Sequence, residues 1–249
     1  MTRRRWIADE FSSERAALAG PHAAHLARTL RARVGQEFEV ACGDQVRRAT
    51  VTSVDDDRVE FALGEEVAAS SSAPITLLLA VFKFDRMEWA IEKCTELNVA
   101  NIVPVIARRT EKHLAAAAEK RAERWRRIAR EASEQSRRAA PPQIAAPVKL
   151  SEALKLPMFS RAPHQDEDAG AALRIVLDET ECEASLADIL HAQGKLQSVA
   201  LAVGPEGGWT EDELHSFATA QWISASLGDT ILRAETAAIA AVSIARAAT

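Results

Sequence analysis

A glycine-rich loop near residue 204 has the composition of a ligand-binding site. The stretch Gly204-Pro205-Glu206-Gly207-Gly208 ends an apolar run, and Trp209-Thr210 leads into an acidic segment. Glycine has no Cβ, so the chain can turn sharply and a ligand can approach its backbone. The stretch lacks the defining residues of dinucleotide-binding and P-loop motifs. It predicts a loop for a flat or anionic ligand, with a plain strand-to-helix connection as the alternative.

The residues on either side predict the elements that hold this loop and a second glycine turn. Thr210 and Glu213 have the spacing of a capping box, so a helix should begin near Glu211. Further on, the stretch 227–236 passes from a strand end through a glycine turn into a helix over 236–247. That helix is apolar or small on nearly every side. It should be buried, either in the core or between subunits.

The chain beyond residue 73 alternates apolar runs with helical patterns, which predicts an α/β domain with a mostly parallel sheet. One helix, 85–97, has Met87, Ile91 and Cys94 on one stripe and Asn98 as its stop. A second, basic helix is expected over 115–138. The predicted strands are 75–81, 101–106, 174–177, 198–203 and a short one around 224–227.

Short alternating runs in the first 72 residues predict a small barrel, with strands over 36–41, 46–54 and 58–63. A helix over 22–31 should turn Arg28 and Arg31 away from its apolar face. His22 and His25 lie three apart, but no acidic or thiol group is near in sequence, so RNA contact or plain surface is preferred to a metal site. The small polar stretch 68–74 predicts a linker, which divides the chain into domains 1–72 and 73–249.

Composition limits the classes of protein. The 249 residues are 47% hydrophobic, enough for one large core or two modest ones. Cys42, Cys94 and Cys182 form no C-x-x-C pair, which favours a reducing compartment and no metal. The basic N-terminal stretch has no apolar region after it, and no run approaches transmembrane length, so a soluble cytoplasmic protein is expected.

Charge is unevenly distributed along the chain. The net charge is −5, yet residues 1–50 and 101–140 are basic, with net charges of +3 and +6. This polarity suits a basic face toward phosphates on an otherwise acidic protein, and a solvated Arg/Glu-rich helix is the alternative. Prolines interrupt 139–172, where the polar loop 164–168 is expected to be mobile and without chemistry.

Four segments together resemble the RsmE family, bacterial small-subunit ribosomal RNA uracil-N3 methyltransferases of the SPOUT class. They are Gly-Pro-Glu-Gly-Gly with its acidic helix start, Leu-Gly-x-x-Ile-Leu-Arg-x-Glu-Thr-Ala from Leu227, and the stretches 84–97 and 124–137. Their order and spacing run through the whole second domain. The Arg-rich start and the stretch 22–31 are similar, less specifically, to the family's PUA-like barrel.

The resemblance implies an N-terminal PUA-like, RNA-binding β-barrel and a C-terminal SPOUT α/β domain with a deep trefoil knot. It implies S-adenosylmethionine as cofactor, with the adenine held by loop backbone and apolar side chains. It also implies a homodimer through the C-terminal helix, and small-subunit ribosomal RNA or the assembled subunit as partner. The cofactor-binding residues it suggests are Leu201, Val203, Gly204, Pro205, Gly207, Gly208, Leu227, Gly228, Ile231 and Leu232.

Methylation of uracil N3 requires removal of its proton or stabilisation of the resulting anion. Arg233 is the candidate cation, with a structural ion pair to Glu235 or Glu206 as the alternative. Glu206 is the candidate base. Because it precedes a helix N-terminus, which favours the charged carboxylate, it could instead orient a donor. Six arginines are hypothesised to contact RNA, with helix-surface charge as the alternative. They are Arg5, Arg28, Arg31, Arg86, Arg137 and Arg138.

Two positions depart from the family pattern: Thr230 stands where the family usually has Arg, and Asn98 where it has Gly. Asn is a tolerable helix stop, whereas Thr230 removes a positive charge beside the cofactor. Two other functions stay open. They are a related SPOUT enzyme that methylates a ribose 2′-OH or a transfer RNA, and a non-enzymatic RNA-binding ribosome-assembly protein.

Overall fold

The computed structural model describes residues 5–43, 45–67, 73–159, 171–181, 183–194 and 196–249. The chain divides into two compact units: Met1–Ser71 with Arg130–Pro141, and Ser72–Ala129 with Pro142–Thr249. Most of the predicted linker, the loop 164–168 and Cys182 lie outside the described residues. The domain boundary after residue 72 therefore stays a prediction. No helix in the described ranges is long and apolar enough to cross a membrane.

A six-stranded, barrel-like sheet forms the centre of the first unit. Its strands are β1 (Trp6–Ile7), β2 (Glu10–Phe11), β3 (Arg15–Ala19), β4 (Glu37–Cys42), β5 (Gln45–Val54) and β6 (Arg58–Val67). They lie in the order β1-β4-β5-β6-β3-β2, and only the β1·β4 pair is parallel. One segment supplies both edges, because Ala8 N–H donates to Ala41 of β4 and Asp9 N–H to Ala17 of β3, each at 2.9 Å. The sheet therefore curls back on itself, and the three predicted strands are confirmed as β4, β5 and β6.

The helical segment between β3 and β4 differs from its prediction. It consists of α1 (Gly20–Ala24) followed by a π-helical turn, His25–Thr29, instead of one α-helix. The wider turn is closed by Leu30 N–H donating to His25 O at 3.1 Å. Arg31, with φ of 53°, then takes the chain out of the helical region.

A parallel seven-stranded sheet forms the centre of the second unit, as predicted. Its strands are β7 (Ile75–Ala80), β8 (Asn101–Ile106), β9 (Gln143–Ile144), β10 (Val148–Lys149), β11 (Ala171–Leu177), β12 (Leu196–Val203) and β13 (Ile223–Ala225). The order is β10-β8-β7-β12-β11-β13, with β9 also paired to β8. The helices are α2 (Phe84–Glu96), α3 (Lys112–Gln135), α4 (Leu150–Ala153), α5 (Leu186–His191), α6 (Glu211–Thr219) and α7 (Ala234–Ala247), with a 3₁₀ turn at Pro157–Phe159.

Both faces of the parallel sheet are buried. On β7, Leu77 and Leu79 belong to the cluster that includes Trp125 of α3, while Leu78 and Ala80 belong to the cluster on the other face. Alternate residues of one strand thus enter two cores, the arrangement typical of parallel sheets covered by helices.

Helix ends agree with the prediction in one case and differ from it in two. Asn98 has φ of 65° and ends α2 as expected. The basic helix α3 ends at Gln135, so Arg137 and Arg138 lie beyond it and not on it as predicted. Arg137 has φ of 63°, and Arg138 N–H donates to Ser133 O, a bond characteristic of left-handed helix stops. Helix α7 begins two residues early because Arg233 is already extended as its N-cap.

Candidate functional site

A cavity of about 800 Å³ lies at the carboxyl edge of the parallel sheet. Side chains that follow β7, β8, β11, β12 and β13 all reach it, the position at which open α/β sheets bind ligands. It is lined by Lys83, Arg86, Arg109, Glu211, Leu214, Ala237 and the stretches 177–180, 203–206, 208–209 and 225–234. The two loops singled out in the sequence therefore lie on one cavity.

The first wall is the loop after β12. Gly208 has φ of 71°, a left-handed conformation that favours glycine, and a Cβ there would lie 2.9 Å from Glu179 Oε1. The loop ends at the predicted capping box, which is confirmed: Thr210 Oγ1 accepts from Glu213 N–H, and Glu213 Oε2 accepts from Thr210 N–H at 2.9 Å. Helix α6 begins at Glu211, as expected.

The second wall is the loop between β13 and α7. Gly228 has φ of 118°, and apart from its chain neighbours no described residue lies within 4 Å of the position its Cβ would take. The backbone is consequently open to a flat ligand. Leu227 and Leu232 are half-buried, whereas Ile231 is 82% exposed.

Carboxylates and cations face each other within the cavity. Glu206 Oε1 lies 3.8 Å from both Lys83 Nζ and Arg86 Nη1, and the same Arg86 nitrogen lies 3.5 Å from Glu235 Oε1. Glu235 is buried, and its Oε2 has no hydrogen-bond partner among the described residues. Arg233 is exposed, and the described part of the chain gives it no ion pair with Glu206 or Glu235. The structural ion pair considered for Arg233 is made by Arg86 instead.

Most of the predicted cofactor residues lie on the cavity. Two do not line it: Leu201 is fully buried in the core of β12, and Gly207 is exposed with its carbonyl turned to Arg109. Both candidate catalytic residues, Glu206 and Arg233, line it. The predicted cofactor residues on its surface are Val203, Gly204, Pro205, Gly208, Leu227, Gly228, Ile231 and Leu232.

The six predicted RNA contacts fall into two groups. Arg86 lines the cavity of the second unit. Arg5 and Arg28, in the first unit, form ion pairs with Glu39 at 2.9 Å and Asp56 at 3.2 Å. The remaining three, also in the first unit, are Arg31, Arg137 and Arg138.

The two histidines of the first unit have different neighbours. His22 Nε2 lies 3.9 Å from the buried Glu134 Oε1, whereas the His25 ring packs against Trp6 at 6.1 Å. Within the described ranges, no three or more His, Cys, Asp or Glu residues are grouped to hold a metal. Cys94 is enclosed in the core, where burial raises the pKa of its thiol to about 12.

Some residues that line the cavity were not predicted from the sequence, among them Lys83, Arg109 and the stretch 178–180. Each comes just after a predicted parallel strand, and the carboxyl ends of parallel strands share one edge. That position was the available signal. Thr230 also lines the cavity, and Lys83, Arg86, Arg109 and Arg233 keep positive charge there despite the missing family arginine.

Comparison with known proteins first identifies the class of domain to which the second unit belongs. A family model described as an RNA methyltransferase domain matches residues 69–246. The parallel-sheet unit, with its cavity, is therefore an RNA methyltransferase domain. Proteins called ribosomal RNA small subunit methyltransferase E, from Synechocystis sp. and Rickettsia conorii, are 31% and 30% identical over 86% and 90% of this chain. The alignments span 66% and 86% of those proteins, just under two thirds in the first case.

A solved structure agrees. The Neisseria gonorrhoeae ribosomal RNA small subunit methyltransferase E bound to S-adenosylmethionine superposes with a TM-score of 0.79 at 29% identity, covering 96% of this chain and 94% of that one. This chain belongs to the ribosomal RNA small subunit methyltransferase E family.

Proposed function

We propose that this protein uses S-adenosylmethionine to methylate N3 of a uridine in small-subunit ribosomal RNA. The observation that carries the proposal is the single cavity formed by the 204–209 and 227–233 loops at the carboxyl edge of the sheet. Family membership supports the ribosomal RNA substrate. The choice of uracil N3 rests on the family that the sequence motifs resemble.

The residues at the cavity fit this cofactor. A volume of about 800 Å³ is within the range of small-molecule sites. The open backbone at Gly228 suits a purine edge, with Leu227 and Leu232 beside it as apolar cover. When bound, S-adenosylmethionine supplies an electrophilic methyl group. The protein's main task is then to align the accepting nitrogen with that methyl group.

Arg233 supports the chemistry at N3. It stands at the N-cap of α7, exposed on the cavity, with no ion pair to the neighbouring glutamates in the described part of the chain. Its guanidinium is thus available to stabilise the uracil anion that remains after N3 loses its proton. Arg233 has the role of electrostatic stabiliser in this proposal.

Glu206 is the acceptor for the N3 proton in the same proposal. Its Oε1 lies 3.8 Å from both Lys83 Nζ and Arg86 Nη1. Both distances are longer than a hydrogen bond. The carboxylate therefore keeps lone pairs for a uracil N3–H. The buried Glu235 lies 3.5 Å from the same Arg86 nitrogen and helps to hold it, so Arg86 also has the role of orienting Glu206.

The first unit is proposed to be a PUA-like barrel that contacts RNA phosphates. Arg28 and Arg31 are exposed on the segment after α1, and Arg5, Arg137 and Arg138 add positive charge to the same unit. By the same resemblance we infer a trefoil knot within residues 73–249, and action in the cytoplasm, where a bacterial ribosome is assembled.

A homodimer through α7 is the remaining part of the proposal. Helix α7 is apolar or small on nearly every side, yet Ile239, Ala240 and Ile244 are only half-buried in one chain. Trp89 of α2, 47% exposed, borders the same surface across a cavity of about 480 Å³. An apolar surface of this kind suits a second copy of the chain.

The test is a methylation assay on small ribosomal subunits that lack the modification, with labelled S-adenosylmethionine and mass spectrometry of the nucleosides. We expect 3-methyluridine, and Arg233→Ala should abolish turnover while its thermal unfolding stays unchanged. A ribose-methylated product or transfer RNA labelling would assign the chain to another RNA methyltransferase activity. Undiminished methylation by Arg233→Ala would exclude its proposed role. No cofactor binding by calorimetry would favour an RNA-binding assembly protein.

A further inference from the structure

Arg109 joins the loop after β8 to the glycine-rich loop after β12. From Nη1 it donates to the carbonyl oxygens of Gly207 and Trp209, the latter at 3.2 Å. Its Cδ would lie 3.3 Å from a Cβ on Gly207. One cation therefore holds two carbonyls on either side of Gly208, the residue with the left-handed backbone.

The turn that carries Arg109 is itself fixed from two directions. Arg108 N–H donates to Glu213 Oε1 at 2.8 Å, and Glu213 is the same buried residue that caps α6. Thr110 Oγ1 donates to Val81 O at 3.0 Å and accepts from Ala107 N–H at 3.2 Å. Since these bonds hold the turn in place, Arg109 can hold the glycine-rich loop after β12 in a fixed position.

We propose that Arg109 is a positioning residue that keeps the 204–209 loop in its ligand-binding shape, an inference that rests on the proposed cofactor site. Loop carbonyls that lose their donor can turn toward solvent, and only the fraction of molecules with the correct loop then binds. Because Arg109 also lines the cavity, direct contact with a ligand carboxylate is the competing role.

Two ligands separate these roles. S-adenosylmethionine carries a carboxylate, whereas 5′-methylthioadenosine has the same nucleoside and lacks the amino-acid portion. If Arg109 acts through the loop, Arg109→Ala should lower the affinity for both ligands by about tenfold or more. A tenfold fall in the fraction of molecules with the binding-competent loop has this effect. Loss of S-adenosylmethionine affinity alone would overturn the positioning role, because that result requires contact with the carboxylate.

The measurement is isothermal titration calorimetry with wild type, Arg109→Ala, Arg109→Lys and Arg108→Ala. Arg108 is the matched control, an exposed arginine in the same turn whose backbone bond to Glu213 survives the substitution. We expect Arg108→Ala to bind both ligands like wild type, and Arg109→Lys to bind them more tightly than Arg109→Ala, because a lysine ammonium keeps the charge and can donate to the same carbonyls. Unchanged binding of both ligands by Arg109→Ala would contradict the inference. Failure of wild type to bind S-adenosylmethionine would instead contradict the proposed function.

Discussion

At the scale of single residues, Gly208 shows how a cavity wall depends on backbone conformation. Its φ of 71° costs any residue with a Cβ free energy, and Glu179 Oε1 lies 2.9 Å from the place that Cβ would take. The glutamate side chain is exposed and can move aside, so the backbone term should dominate.

Gly208→Ala is therefore expected to lower the free energy of unfolding by about 1–2 kcal/mol. Gly194→Ala is the matched control, because Gly194 has no left-handed φ and, apart from its chain neighbours, no described residue lies within 4 Å of its Cβ position. Urea unfolding of the two variants measures the difference. Equal free energies would show that the loop adopts another conformation at Gly208.

At the scale of elements, Glu213 connects the start of α6 to the turn after β8. Its two carboxylate oxygens accept from different backbone N–H groups, Thr210 at 2.9 Å and Arg108 at 2.8 Å, and the side chain is buried. A buried residue with two such bonds stabilises both loops, because each N–H would otherwise lose its acceptor.

Glu213→Ala should lower the free energy of unfolding by about 2 kcal/mol or more, because the N–H groups of Thr210 and Arg108 both lose their acceptor. Asp212→Ala, which removes an exposed acid from the same helical turn, should change it by no more than about 0.5 kcal/mol. Chemical denaturation with both variants tests the difference. A Glu213→Ala variant as stable as Asp212→Ala would show that the two bonds of the Glu213 carboxylate do not stabilise the fold.

Local signals predicted the elements that depend on local contacts. The Thr210/Glu213 spacing and the stop at Asn98 gave correct helix ends, since a cap is satisfied within a few residues. The two-residue strands β1, β2, β9 and β10 were missed, because so short a segment is a strand only through its partner. Arg109 was missed for a similar reason: its contacts, Gly207 and Trp209, are far away in sequence.

At the scale of the whole molecule, the apolar surface of α7 sets the expected assembly. Its inward side, Ala238, Ala241, Val242 and Ala245, is buried within one chain. Its other side, with the half-buried Ile239 beside the exposed Trp89, is only partly covered by the described residues of a single chain. Small residues on such a helix permit close approach of a second copy, so the dimer should form through this surface.

Ile239→Glu and Trp89→Glu should convert the proposed dimer into monomers, because each places a charge in an apolar interface without a partner. Light scattering coupled to size exclusion should give wild type a mass twice the 27.0 kDa of one chain, and each variant a single-chain mass. Val34→Glu, which changes a 66% exposed residue in the first unit, is the control and should stay dimeric. Circular dichroism separates dissociation from unfolding. A monomeric wild type, or folded Ile239→Glu and Trp89→Glu variants that remain dimers, would remove α7 from the interface.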